Sequence, residues 1–276
     1  MSPKARKFLP MLLLLALGIS TPLVRGDDRE DAEKLLRTNL RGKFFALKHF
    51  RTGDRLKFDT DGNMLKGGDV CPWTLCAQIE ISDVNLRSDK LEIRGKRIIL
   101  QYKEGSKNPS GLRGPPVSIE IEIPPDLVKY DALLEVLNKV FASNYEQLAE
   151  LVPAFWTKFL SSNDSDKKAE VGLLASNGQP VQKIEAGKVT PPKEVFAPSP
   201  DYSTQARQAG YQGKVVLSLV VNSQGNTENI SIVKPVGMGL DDKAVERVQT
   251  WKFKPAMRDG SPVPVKVLLE VTFRLR

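Results

Sequence analysis

Gly213-Lys-Val-Val-Leu-Ser-Leu-Val-Val-Asn222, the turn Ser223-Gln-Gly225 and the return from Asn226 to Lys234 form the stretch from which the fold is read. Two apolar alternations about a glycine turn predict a β-hairpin. Downstream, Leu240 to Trp251 places Leu240, Ala244, Val248 and Trp251 on one helical face. Asp241 and Asp242 fall in its first turn, where the helix dipole favours acids. Trp251-Lys-Phe-Lys-Pro255 follows, and the chain ends on an alternating run, Val263 to Leu275. Val263, Val265, Val267, Leu269, Val271, Phe273 and Leu275 share one side of that run. Pro264, Lys266, Glu270, Thr272 and Arg274 share the other, and only Leu268 breaks the pattern. A period of two with one wet face predicts a half-buried strand. Upstream, Ser203 to Ala209 reads as a short helix ended by Gly210. One-sided helices and a one-sided sheet pack together, so this region is expected to be α+β: a two-layer antiparallel sheet with two helices.

Working back along the chain, residues 27–160 predict a separate, mainly antiparallel β domain with flanking helices. Asp28 to Leu40 has helical spacing, with Ala32, Leu35, Leu36 and Leu40 on one face. Short strand-like runs follow: 44–50, 55–58, 75–81, 84–86, 91–93, 97–102 and 117–123. Gly, Asp, Asn and Ser punctuate them, as in an antiparallel sheet. Helices are expected at 130–142 and at 145–160, the second interrupted by Pro153; Phe155, Trp156 and Phe159 are expected to pack on the sheet. Residues 161–189 are polar and then proline-containing, which predicts a linker between this domain and a C-terminal one over 190–276.

Lys4, Arg6 and Lys7 precede an apolar run from Phe8 to Ile19, and small residues lead to Gly26. This is the pattern of a signal peptide over residues 1–26, with cleavage expected before Asp27. The alternative is an uncleaved anchor, although the run is shorter than the ~20 apolar residues of a membrane span. In an exported chain, Cys71 and Cys76 are expected to form one local disulfide. With two cysteines and one histidine in the whole chain, no metal site or cofactor is expected.

The net charge is +8, but its distribution argues against a nucleic-acid partner. Residues 1–26 carry +4. Residues 27–186 hold 24 basic and 25 acidic residues, a charge of −1. Residues 187–276 hold 13 basic and 8 acidic residues, a charge of +5, with no dense basic run and no interleaved aromatics. No glycine-rich phosphate loop, serine-nucleophile motif or Cys/His pair is present. His49 alone does not supply a general base with partners, so an enzyme is not expected.

The features of residues 190–276 resemble the C-terminal domain of TonB-type energy transducers. The resemblance rests on Tyr202 and the helix after it, Gly213-Lys-Val215, the Gly225 turn, and Leu240-Asp241 with Ala244. It extends through Trp251-Lys-Phe-Lys-Pro255-Ala256, Gly260 and the closing strand. Ser203 stands where the family commonly has proline. The resemblance implies a periplasmic domain that takes up the plug-side peptide of an outer-membrane transporter as an added strand. On this basis the contacts fall on Val263, Val265, Lys266, Val267, Leu269, Val271 and Phe273, and on the segment from Ala197 to Tyr202, including Pro200 and Tyr202. Gly213, Gly225, Trp251, Phe253 and Pro255 are the family's structural signature, expected in the core and at corners. Transducers of this kind typically carry a membrane helix with a functional Ser and His, coupled to an inner-membrane proton motor. Here the single histidine, His49, lies outside the apolar segment, and such a motor is a partner only if the signal stays uncleaved. The alternative is a periplasmic scaffold: a module that self-associates through exposed strand edges, giving a homodimer, with its ligand held by the N-terminal domain.

Overall fold

The computed structural model describes residues 28–103, 106, 108–142, 144–161 and 173–275. The expected signal peptide and the first part of the expected linker, 162–172, lie outside the described residues. Two compact units are present, one built from residues 28–101 and 108–151 and the other from residues 102–107 and 152–275.

The first unit opens with α1 (Asp28–Leu40), whose first turn carries Asp28, Glu30 and Asp31 and whose last carries Arg37, complementing the helix dipole. Ala32, Leu36 and Leu40 are buried; Leu35 is not, so the apolar stripe is narrower than the spacing predicts. Strands β1 (Phe44–Leu47), β2 (Arg55–Phe58) and β3 (Met64–Lys66) follow. A one-turn helix, α2 (Trp73–Cys76), replaces the start of the strand expected at 75–81, and a disulfide joins Cys71 to Cys76. Then come β4 (Gln78–Leu86), β5 (Lys90–Gln101), β6 (Ser110–Glu122), α3 (Tyr130–Val140), β7 (Phe141–Ala142) and α4 (Tyr145–Leu151).

The sheet order is β3-β2-β6-β5-β4-β1-β7, antiparallel throughout except for the parallel pair β2 and β6. The short runs expected around residues 82 and 95 are joined in two long strands. Their pairing shifts register between Ile81 and Asp83 and between Lys96 and Ile98, so the polar punctuation marks bulges, not turns. One core contains Leu36 and Leu40 of α1, Leu133, Leu137 and Val140 of α3, and the inward residues of β2, β4, β5 and β6. Arg97 is buried near the disulfide. It donates to the carbonyl oxygens of Cys76 (2.7 Å), Arg51 (2.8 Å) and Gly53 (2.8 Å), tying the α2 loop to the loop before β2. Replacing Arg97 with Met would strip three carbonyls of a charged donor. The expected cost is about 2 kcal/mol, measurable as a lower urea midpoint.

The second unit contains α5 (Ala154–Ser161), β8 (Val189–Thr190), β9 (Lys193–Phe196), α6 (Thr204–Gln208), β10 (Gly213–Val221) and β11 (Thr227–Lys234). It continues with α7 (Leu240–Val248), β12 (Lys252–Lys254), β13 (Ala256–Arg258), β14 (Ser261–Val263) and β15 (Val265–Phe273). Three small sheets form: β11-β10-β15, β12-β9 and β14-β13-β8. The expected hairpin is β10 and β11, and β15 runs antiparallel to β10 from Val221 opposite Val265 to Gly213 opposite Phe273. Leu240, Ala244, Val248 and Trp251 are all buried, as the helical face requires.

Two boundaries differ from the sequence reading. The expected first domain ran to residue 160, but α5 lies against β11 with Trp156 fully buried, and so belongs with the second unit. Phe159 packs edge-on against Tyr102, 5.5 Å between ring centroids, and against Trp156 at 6.0 Å. Residues 173–189, expected as linker, fold against the second unit's strands, as detailed below.

Candidate functional site

The candidate site is the outer edge of β15. Its neighbours decide whether that edge is open. Each end of a three-stranded sheet exposes a row of unpaired backbone groups unless something covers it. At the β11 end, register with β10 shifts between Ser218 and Val220, and Asn229 adopts φ 51, so β11 bulges opposite Leu219. With α5 also against it, β11 is a poor template for an added strand. At the other end, β15 is regular from Val265 to Phe273.

The Gln182 amide donates to the Pro264 carbonyl at 2.8 Å, on the side of the strand away from β10. Backbone direction alternates along a strand. The groups of residues 264, 266, 268, 270 and 272 therefore face outward, and those of 265, 267, 269, 271 and 273 face β10. Among the described residues, nothing pairs with this edge beyond the bridge between Gln182 and Val265.

The residues named from the sequence divide accordingly. Val265, Val271 and Phe273 are buried; Lys266, Val267 and Leu269 are half-buried. All but Lys266, which is on the opposite face, build the inner face and its rim. Val263 is not on this strand: Pro264 interrupts the run, and Val263 pairs with Ala256 in the β13–β14 hairpin. Proline lacks an N–H for the ladder, and here it separates two strands that an uninterrupted alternation had joined. Leu268, which the sequence reading marked only as an exception, is 70% exposed in the middle of the open edge. An apolar residue on the wet side of an edge strand is the sequence signal that sets this position apart. Glu270 pairs with Lys214 of β10 at 2.7 Å.

The segment before α6 reaches the end of β15. The Tyr202 ring stands edge-on to Phe273, 5.5 Å between centroids, with the Arg207 guanidinium 5.4 Å from the Tyr202 centroid. The Tyr202 hydroxyl is buried with no hydrogen-bond partner among the described residues, and burial raises its pKa. Pro200 is half-buried beside it in sequence. Ser203, the departure from the family pattern, is the N-cap of α6. Its Oγ accepts from the Ala206 amide (3.1 Å) and donates to the Met238 carbonyl (2.6 Å). Ser203→Ala is expected to cost about 1 kcal/mol, visible in chemical denaturation.

The signature residues hold this arrangement together. Gly225 has φ +80, and a Cβ there would lie 1.9 Å from the Phe253 carbonyl oxygen, so the turn admits only glycine. A side chain at Gly213 would strike Val236. Trp251 and Phe253 are buried, and the Trp251 indole N–H donates to the Pro198 carbonyl at 3.1 Å, fixing the segment that leads to Tyr202. Pro255 forms the corner between β12 and β13.

Asp241 is fully buried at the start of α7. Its carboxyl oxygens accept from the Val236 and Gly237 amides, both at 2.7 Å. Burial raises its pKa to about 8, and the two amides oppose that rise. Asp242 is raised to about 6, again by burial, with Trp156 opposing.

Elsewhere, the first unit has a charged cleft of about 470 Å³ lined by Lys57, Asp59, Lys90, Glu120 and Glu122 among others. Its cations are already engaged, Lys57 with Glu122 at 2.7 Å and Lys90 with Glu92 at 3.0 Å. No group of three or more potential metal ligands is found among the described residues, nor a helix long and apolar enough to cross a membrane.

Comparison with known proteins matches residues 198–275 to the family described as Gram-negative bacterial TonB protein C-terminal. Protein TonB of Vibrio cholerae is 32% identical over 77 residues, 28% of this chain and 32% of that protein. Protein tonB2 of Pseudomonas aeruginosa is 33% identical over 79 residues, 28% of this chain and 29% of that protein. The chain thus spans about a third of the length of the curated relatives it matches. The solution NMR structure of the Pseudomonas aeruginosa TonB CTD aligns over 34% of this chain and 96% of that one, at 18% identity and a TM-score of 0.26.

Proposed function

Since residues 198–275 are a TonB-type C-terminal domain, we propose that this chain is an exported TonB-family protein whose C-terminal domain binds an extended peptide of an outer-membrane transporter by strand addition. The observation that carries the reading is the contrast between the two sheet edges. β11 is bulged and covered, whereas β15 is regular and open from Leu268 onward. An extended peptide placed there gains main-chain hydrogen bonds from residues 268, 270 and 272, and Leu268 offers an apolar contact. Tyr202 lies beside Phe273, where the far end of such a peptide would emerge, and Pro200 is two residues before it. The role is that of a periplasmic binding protein associated with energy-dependent transport, not of an enzyme. An inner-membrane motor is a partner only if residues 1–26 are retained.

Calorimetric titration of the full chain with a synthetic plug-segment peptide tests this. Saturable binding is expected, and the absence of heat and of co-elution would count against it. The exposed edge also favours a second reading, because another copy of β15 can pair with it as a homodimer. Light scattering separates the two: a monomer that binds peptide supports the first, and a dimer that excludes peptide supports the second.

A further inference from the structure

The family match begins at residue 198, yet the edge it would use is partly filled by residues upstream of it. Residues 173–183 form a small strap. Leu174 bridges Pro180, Val181 donates to the Leu173 carbonyl at 2.9 Å, and Gly178 makes the turn with φ +79. The strap is anchored at both ends. At one, the Ser176 amide donates to Glu228 at 2.9 Å, and Asn177 reaches Ser223 Oγ at 3.3 Å. At the other, Gln182 donates its amide to the Pro264 carbonyl and pairs in parallel with Val265, while its side-chain oxygen accepts from Arg258 at 2.8 Å. After Gln182 the chain leaves the edge, and Val189–Thr190 pairs with β13 instead.

We infer that the strap is a stop that ends the acceptor edge at Lys266, so that an incoming peptide registers only against Leu268 to Arg274. This rests on the proposed peptide binding at β15. The pairing of Gln182 with Val265 takes the outward-facing groups at 264 and 266, the same kind of groups that an added strand needs. A peptide cannot use those positions without displacing Gln182 from Pro264 and Val265 and breaking its side-chain contact with Arg258. Register along a flat edge is otherwise weakly specified, because a shift by two residues restores the same backbone bonds. A fixed stub at one end removes that freedom. The strap therefore selects for short extended segments, about seven residues of contact given the strand rise.

The test uses the full chain and a nested set of synthetic plug-segment peptides of increasing length, with calorimetry and amide hydrogen exchange. In the wild type, affinity is expected to level off at about seven residues, and the Gln182 amide should stay protected when peptide is bound. Gln182→Pro removes the donor to Pro264 and opens positions 264 and 266. For peptides four residues longer, its affinity should rise about fivefold or more through the added backbone bonds. Equal length dependence in wild type and Gln182→Pro would overturn the inference while leaving strand addition intact. Loss of Gln182 protection on binding to the wild type would overturn it also, even if the variant failed to fold, because the peptide would then displace the strap. Failure of every peptide to bind either protein would instead sink the binding reading, and the inference with it.

Discussion

Leu268→Pro is expected to weaken capture of a plug peptide by about tenfold or more, or ~1.4 kcal/mol, while the chain remains folded. The backbone N–H of Leu268 faces away from β10, so proline removes no bond of the sheet. Proline is tolerated on edge strands where its missing N–H would point outward. It does remove a donor to any added strand, and its ring obstructs close approach. Leu269→Pro provides the contrast. Leu269 sits opposite Leu217 with its amide directed at β10, so proline there should disrupt the sheet itself. Circular dichroism and urea titration of both variants, beside peptide calorimetry, distinguish loss of binding from loss of fold.

Asp241→Ala should have the largest effect on stability, about 3 kcal/mol, because two buried amides lose their acceptor at once. These amides, of Val236 and Gly237, lie in the turn between β11 and α7. The loss therefore loosens the link between sheet and helix layer. The same carboxyl gives a pH signature. Its folded pKa of about 8 lies above the ordinary carboxylate value of 3.8, so the folded state holds a proton that the unfolded chain has released. The stability contributed is present in full below the unfolded pKa and is lost as pH rises through 8. Asp242, raised to about 6, acts in the same direction over the lower part of that range. The stability gap between wild type and Asp241→Asn should accordingly narrow from pH 5 to pH 8 in urea midpoints. A gap that stayed constant over that range would show that the two amides outweigh burial and that Asp241 is ionised throughout.

Much of the second unit is legible in the sequence because its rules are local. The hairpin rests on alternation about Gly225, and α7 on the spacing of Leu240, Ala244, Val248 and Trp251. What was missed required tertiary information. Val263 continues the alternation of the last strand perfectly, and only the pairing with Ala256 shows that Pro264 divides two strands. Residues 154–160 read as a continuation of the first region because nothing local tells one core from another. The strap had no signal at all: Gln182 and Ser176 are ordinary polar residues whose role comes from Pro264 and Glu228, far along the chain. The site itself was half legible. Alternation identified the strand, but apart from Lys266 the residues selected on it were those of its inner face. The outward backbone positions and Leu268 follow only once β10 is known to be the neighbour.

Amide hydrogen exchange on the full chain, with and without a plug-segment peptide, addresses the central claim most directly. Strand addition at β15 predicts new protection at Leu268, Glu270 and Thr272, with Val267, Leu269 and Val271 already protected in the free protein and unchanged. Protection arising along β11 or β9, or none at 268, 270 and 272 under saturating peptide, would contradict it.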